Sequence, residues 1–207
     1  MTLPTHNQLM LAEIAASKAL SPEHIASERE KAASLMAAGF TTQAFLHLWI
    51  VTEVAAKELI RIYKYTKDAH EILKKMQSEL KRALKRHLVA RPKETAHEQA
   101  SILTNMALPS LSNSLYGVLK NHAESRQPDV AAIKSALTVL EITVDSAWFE
   151  YLLATKIEEL PECIDFSEKT TVRERRNKLV HSNGSVSDAT LVRLLPLFDY
   201  FLTCFRV

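Results

Sequence analysis

Apolar side chains recur every three or four residues along most of this chain, and that spacing is the period of one face of an α-helix. The clearest run follows Thr41, where Phe45, Leu48, Trp49 and Leu59 fall on a single stripe. Strict alternation of polar and apolar residues over the length of a β-strand is absent from the sequence. The pattern therefore predicts an all-α fold built as a helical bundle.

Helix start and stop signals divide this pattern into segments. Ser21 followed by Pro22 is typical of a helix N-terminus, and Gly39 is typical of a C-terminal stop. Taken along the whole chain, such signals predict helices over 22–38, 41–65, 67–90, 94–106, 110–122, 129–156, 172–183 and 187–205.

Length and composition bound what such a bundle can do. The 207 residues are enough for a sizeable core, and we expect one domain over 1–207. Its core helices are expected over about 41–207, with the N-terminal helices of 1–40 packed on them. Three glycines and no glycine-rich run leave no loop of the kind that cradles phosphates. The formal net charge of +2 neither requires nor excludes a nucleic-acid partner.

Cysteine and histidine usage favours a reduced compartment and no metal site. Cys163 and Cys204 have no ligand-like spacing, and the eight histidines are scattered, so we expect no metal ion and no cofactor. The N-terminus has no basic segment ahead of its apolar residues, so no signal peptide is expected. No apolar run approaches the roughly 18 residues of a membrane span, so we expect a cytoplasmic protein without a membrane contact.

One stretch, TVRERRNKLVHSNG over 171–184, concentrates special residues. Thr171 and Glu174 fit a capping box, which places the helix start at Val172, and Gly184 is a natural stop. We expect Val172, Leu179 and Val180 to form the buried stripe of this helix, and Arg176 falls inside that stripe. A guanidinium there needs a partner, because an unpaired charge in a core is strongly destabilising.

The same stretch carries a family resemblance. In RNKLVH, Arg176 is followed directly by Asn177 and, after four intervening residues, by His181. This resembles the Arg-X4–6-His motif of HEPN domains, which are helical bundles of prokaryotic toxin and defence systems with the motif on a late helix. The resemblance implies a HEPN-like core with additional helices, a site formed by these three residues, and support from Arg173. It also implies an inward acidic residue on an earlier helix, which Glu53 in AFLHLWIVTEVAAKEL matches.

Many HEPN proteins are metal-independent ribonucleases, and the resemblance implies that activity here. A His can accept or donate a proton near neutral pH, and an Arg can stabilise charge on a phosphate in the transition state. The implied reaction is cleavage of RNA to 2′,3′-cyclic phosphate and 5′-OH ends by a toxin or antiphage effector. Such an enzyme implies a restraining partner, an antitoxin or a sensor. Asn183 stands where one subfamily carries a modified Tyr, which argues against nucleotidylation by such a partner.

The spacing of the motif poses a geometric problem. Residues five apart on one straight helix point roughly 140° away from each other, so Arg176 and His181 do not converge. Either the helix loosens at His181, or a second protomer completes the site. The resemblance implies the second arrangement, a homodimer whose two motifs share one cleft.

A run of basic residues supplies a candidate surface for RNA. Its members lie in the segment predicted as a helix over 67–90, and they are Lys74, Lys75, Lys81, Arg82, Lys85 and Arg86. Their spacing fits contact with an RNA backbone, and the alternative is an ordinary solvated helix face interrupted by acidic residues.

The motif also has a purely structural interpretation. In that alternative Arg176 pairs with Glu53, and His181 interacts with the C-terminus of its own helix. The protein would then be a non-catalytic helical module that dimerises or binds a nucleotide or a protein partner. Incubation with RNA in the presence of EDTA distinguishes the two interpretations.

Overall fold

The structure is a computed structural model that describes residues 3–88, 128–155, 157, 170–182 and 184–204. Its α-helices are α1 (His6–Ala16), α2 (Pro22–Ala37), α3 (Thr41–Leu88), α4 (Val130–Val139), α5 (Ser146–Leu153), α6 (Val172–Ser182) and α7 (Asp188–Thr203), with a 3-10 turn at Lys18–Leu20. No β-strand occurs in these ranges, so the predicted all-α class is confirmed. The helices expected over 94–106 and 110–122 lie outside the described residues. Of the helices described, none has both the length and the apolar character needed to cross a membrane.

The predicted ends of α2 are confirmed by its caps. The Ser21 hydroxyl accepts a hydrogen bond from the His24 N–H at 3.2 Å, which satisfies one of the unpaired donors at the helix start. At the other end Gly39 adopts the left-handed conformation with φ 81°, and the N–H of Phe40 reaches back to the Leu35 carbonyl at 2.9 Å. This is a Schellman motif, and glycine adopts its left-handed position without steric cost.

Helix α3 is continuous, so the predicted break between 65 and 67 is wrong. It runs for 48 residues from Thr41 to Leu88. Neither Gly nor Pro occurs in that range to stop it. Thr66, at the expected break, donates its hydroxyl to the carbonyl of Tyr63 in the preceding turn at 3.2 Å, an interaction that a helix accommodates.

The single helix predicted over 129–156 is also wrong, because the chain turns between α4 and α5. Glu141 adopts a left-handed conformation with φ 59°, and the N–H of Ile142 bonds to the Leu137 carbonyl at 3.0 Å. This closes α4 with a second Schellman motif. Asp145 then begins α5, because its carboxylate accepts the N–H two residues further on at 2.9 Å.

The chain divides into two compact units. The first comprises Met1–Met10 and Tyr63–Glu124, and the second comprises Leu11–Ile62 and Ser125–Val207. The expectation of one domain over 1–207 stays a prediction.

In the first unit, the start of α1 is tied to α3 through one histidine. His6 Nε2 lies 3.0 Å from the Thr66 hydroxyl, and the His6 ring stacks 6.2 Å from the ring of His70. Burial is the main influence on this histidine and lowers the pKa of His6. The neutral imidazole therefore serves as a hydrogen-bonding anchor for the N-terminal helix.

Aromatic side chains form the core of the second unit. Phe45 of α3 packs edge-on against Phe198 of α7 with ring centroids 6.0 Å apart. Phe149 of α5 packs in the same way against Phe201 of α7 at 5.4 Å. Trp49 is 1% exposed and lies one turn beyond Phe45. Each such side chain contributes roughly 1.5–3 kcal/mol by burial, and together they fix α3, α5 and α7 as the frame that receives α6.

Candidate functional site

A single hydroxyl sets the start of α6, the helix that carries the motif. The Thr171 hydroxyl accepts the Glu174 N–H at 3.1 Å and donates to the carbonyl of Ala154, just past α5, at 2.8 Å. Val172, the first residue of the helix, is fully buried. The predicted helix start is therefore confirmed, and α6 is anchored to the end of α5 at the same point.

The predicted buried stripe of α6 is wrong at its C-terminal end. Val172 is buried and Leu179 is half-buried, but Val180 is 55% exposed. Arg176 lies one turn before Val180 on the same face, and its side chain is 36% exposed rather than buried in the core. The reason is packing, because contacts with the end of α5 cover the first turn of α6, whereas the face that carries Arg176 and Val180 remains partly open to solvent.

The structure brings Arg176 and Glu53 together, as the sequence predicts. The Glu53 carboxylate accepts the Trp49 indole N–H at 2.9 Å and pairs with Lys57 Nζ at 2.7 Å. Arg176 Nη2 lies 4.0 Å from the same Glu53 oxygen that accepts Trp49, and its Nη1 donates to the Asn177 side-chain oxygen at 3.0 Å. Sequence analysis assigned Trp49 to the core alone, although its four-residue spacing from Glu53 was a usable signal.

The environment of Glu53 keeps its carboxylate ionised. Burial acts to raise the pKa of Glu53, but hydrogen bonds from Lys57 and Trp49 and the charges of Lys57 and Arg176 outweigh it and hold that pKa below its usual range. A carboxylate with a lowered pKa is a poor general base at neutral pH. Glu53 is therefore suited to orienting Arg176 and balancing its charge.

His181 is exposed in the last turn of α6. The helix does not loosen there, because α6 continues through Ser182, whose hydroxyl donates to the Lys178 carbonyl one turn earlier. On this regular helix Arg176 and His181 point roughly 140° apart. One copy of α6 therefore does not direct both groups at one phosphate.

The remaining predicted motif residues act locally. Arg173 Nη1 donates to the carbonyl of Leu153, the last residue of α5, at 3.3 Å, which ties α6 to its neighbour. Asn177 is half-buried and holds the Arg176 guanidinium through its side-chain oxygen. In this structure the side-chain oxygen of Asn177 contacts the arginine, and the expected role of Asn177 in the site stays a prediction.

The candidate RNA-binding residues occupy one sector of α3 in the first unit. Lys74, Lys75, Lys81 and Arg82 are exposed, and the side chains of Lys85 and Arg86 lie outside the described residues. At 100° per residue, these six positions fall within about 140° of the helix circumference. We call them the basic stripe. The exposure of its first four members fits both a nucleic-acid contact and a solvated helix face.

Among the described residues, the structure contains no group of three or more His, Cys, Asp or Glu side chains that could hold a metal ion. Comparison of the chain with known protein families, with curated proteins and with solved structures found no match. Functional interpretation of the site accordingly depends on the residues and geometry of this chain.

Proposed function

We propose that this protein is a metal-independent endoribonuclease of the HEPN type, acting as a homodimer in the cytoplasm as a toxin or antiphage effector. The observation that carries the proposal is the order of groups on α6. The Arg176 guanidinium donates to Asn177 and faces Glu53, and an exposed His181 follows five residues later on the same helix. Neither a metal ion nor a cofactor enters the proposed reaction.

Arg176 stabilises the scissile phosphate in this proposal. Its guanidinium is 36% exposed, and its contact with Glu53 is long at 4.0 Å, so a phosphate can approach without displacing a tight ion pair. A guanidinium presents a planar fork that matches two phosphate oxygens. His181 supplies proton transfer to or from the 2′-OH and the leaving 5′-oxygen. The products are a 2′,3′-cyclic phosphate and a 5′-OH.

A second protomer brings the two groups together. Three exposed apolar side chains lie within one turn of Glu53 or Arg176 along their helices: Ile50 is 55% exposed, Val54 is 46% exposed and Val180 is 55% exposed. Ile50 lies one turn before both Glu53 and Val54 on α3, and Val180 lies one turn beyond Arg176 on α6. Exposed apolar residues around partly buried charges are typical of an interface, and a second copy of this chain is the proposed occupant.

RNA is the proposed substrate, and the basic stripe is proposed to contact its backbone. Each phosphate contact on a single strand adds about 0.7 to the slope of log affinity against log salt. Binding through several members of the stripe therefore predicts strong salt dependence. A nuclease of this kind needs restraint, which we assign to an antitoxin or a sensor protein.

Cleavage of RNA in EDTA tests the activity. We expect wild-type protein to produce fragments with cyclic-phosphate ends and His181→Ala to produce none. The fold should survive, because His181 is exposed on the last turn of its helix. His24→Ala, at a half-buried histidine of α2, is the matched control and should cleave normally. Wild-type cleavage rates from His181→Ala would remove the catalytic role of this residue.

Light scattering at micromolar concentration tests the dimer. We expect Val180→Asp to give monomers and to lose cleavage, because it places a charge in the proposed interface. Val192→Asp is the matched control, since Val192 is 53% exposed on α7, and it should remain dimeric. A wild-type protein that is monomeric and fully active would contradict the two-protomer site.

The second candidate function is a non-catalytic module that dimerises or binds a nucleotide or protein partner. The contacts of Glu53 favour it, since hydrogen bonds from Lys57 and Trp49 lower its pKa more than the charge of Arg176 does, and this gives the carboxylate a structural role without substrate. A dimer that Val180→Asp disrupts, together with intact RNA in every assay, is the result that selects this alternative.

A further inference from the structure

A small cavity lies beside α6, on a different face from Arg176. It has a volume of about 190 Å³, is open to solvent on one side, and is lined by α6, by the segment 184–186 and by the start of α7. Arg175, Lys178 and Ser182 of α6 line it, at spacings of three and four residues that place them on one side of the helix. That side is roughly 150° around the helix from Arg176 and Val180. The cavity is therefore separate from Arg176, and Lys178 at its edge lies one turn before His181.

The lining of this cavity combines positive charge with hydroxyl groups. The two cations, Arg175 and Lys178, face a rim that includes the hydroxyl-bearing residues Ser185 and Thr190. None of the described residues that line it is acidic. The Lys178 ammonium pairs with Glu174 at 3.4 Å, but the lysine is 62% exposed, so that pairing is loose and the ammonium is free to reach an anion. Guanidinium, ammonium and hydroxyl groups together are the chemistry that recognises a phosphate.

The volume of the cavity limits what can enter. Sites for complete small molecules have volumes of roughly 300–1,000 Å³, so this one is too small for a nucleotide. Gly184 contributes to the wall, and a Cβ at that position would lie 3.3 Å from the Leu179 side chain. We propose that the cavity binds a single phosphoryl group, either inorganic phosphate or the phosphate of a small monoester whose remainder stays outside. This site goes beyond the ribonuclease proposal and does not depend on it.

Binding of inorganic phosphate to the full-length protein tests the site, with potassium chloride added to hold ionic strength constant. We expect phosphate to raise the Tm by mass action and to give a measurable Kd by calorimetry. Lys178→Gln should weaken binding by about fivefold or more, and Ser185→Glu should abolish it by repulsion. Lys31→Gln is the matched control, because Lys31 is 59% exposed and also pairs with a glutamate of its own helix.

The phosphate-binding experiments have outcomes that support the site and outcomes that overturn it. Thermal unfolding without phosphate establishes that each variant is folded before its affinity is compared. Equal affinity for phosphate and ribose 5-phosphate supports recognition of free phosphate, and tighter binding of the ester supports a monoester ligand. Two results overturn the proposal: no rise in Tm beyond the chloride control with either phosphate or ribose 5-phosphate, or equal loss of affinity in Lys31→Gln and Lys178→Gln.

Discussion

Replacement of Arg176 by Lys separates a role in phosphate stabilisation from a role in folding. The substitution keeps one positive charge but removes the planar fork and its hydrogen bond to Asn177. If the proposed reaction is correct, cleavage should fall by on the order of 10²-fold or more, the effect of losing one transition-state donor. That loss corresponds to roughly 2.7 kcal/mol or more of transition-state stabilisation.

The structure predicts a much smaller change in folding stability. Arg176 is 36% exposed, and its nearest carboxylate oxygen, on Glu53, lies 4.0 Å away and already accepts the Trp49 indole. Exposed ion pairs contribute about 0.2–1 kcal/mol, and Lys retains part of that attraction. The lost hydrogen bond to Asn177 joins neighbouring residues at a half-exposed site. We therefore expect Arg176→Lys to lower the free energy of unfolding by less than about 1 kcal/mol.

Urea denaturation and initial cleavage rate, measured on the same preparation, give both quantities. Arg29→Lys is the matched control, because Arg29 is 33% exposed and pairs with Asp199 at 2.7 Å on another surface of the same unit. The control should show a similar small loss of stability with normal cleavage. A loss of more than about 2 kcal/mol in Arg176→Lys, with normal activity per folded molecule, would refute the reasoning and make Arg176 a structural residue.

Two further predictions concern stability. Gly39 and Glu141 each close a helix in the left-handed conformation, so substitutions there should have opposite effects on protein stability. By thermal unfolding, we expect Gly39→Ala to destabilise the protein by about 1 kcal/mol and Glu141→Gly to stabilise it by up to about 1 kcal/mol. No atom lies within 4 Å of a Cβ built on Gly39, so its effect is conformational rather than steric. Hydrogen bonds from Arg61 lower the pKa of Glu58, and a hydrogen bond from Ser17 adds to this effect. Burial of Glu58 acts to raise the same pKa but is outweighed. Its folded pKa lies below its unfolded pKa, so its contribution is present at pH 7 and lost as pH falls through the folded value. The free energies of unfolding of wild type and Glu58→Gln, from urea denaturation, should therefore differ by about 1 kcal/mol at pH 7, and the difference should shrink as pH falls below the ordinary Glu pKa of about 4.3.

Helix ends were predictable wherever a side chain close in sequence sets them. Ser21, Gly39 and Thr171 each act within a few residues of the boundary that they define. Ser187 does the same for α7, since its hydroxyl accepts the Thr190 N–H. These signals are local, so the sequence contains the whole interaction.

The missed boundary at Glu141 has a different origin. A glutamate carries no preference for the left-handed conformation, so nothing in its identity predicts the end of α4. The conformation is imposed by packing, and only Asp145, a good N-cap, indicated that a new helix begins nearby. The unbroken course of α3 through Thr66 was missed for the opposite reason, because a break was inferred where no breaking residue exists.

The candidate site was predictable in its contacts but not in its exposure. The family resemblance implies the proximity of Glu53 and Arg176, and the structure places the two side chains 4.0 Å apart. The outward orientation of Val180 and the partial exposure of Arg176 depend on how α6 is rotated against its neighbours. An 11-residue helix has too few turns for its apolar pattern to specify that rotation.

Because Thr171 makes two hydrogen bonds through one hydroxyl, we expect this position to tolerate few substitutions. Its hydroxyl must donate to Ala154 and accept from Glu174 in a space that is fully closed to solvent. Among the short side chains only Ser and Thr offer both functions from one atom, and Ser lacks the methyl group that fills the site. In a library of all substitutions, position 171 should therefore accept almost nothing, while the exposed positions of the same helix a few residues away accept nearly everything that does not alter the motif.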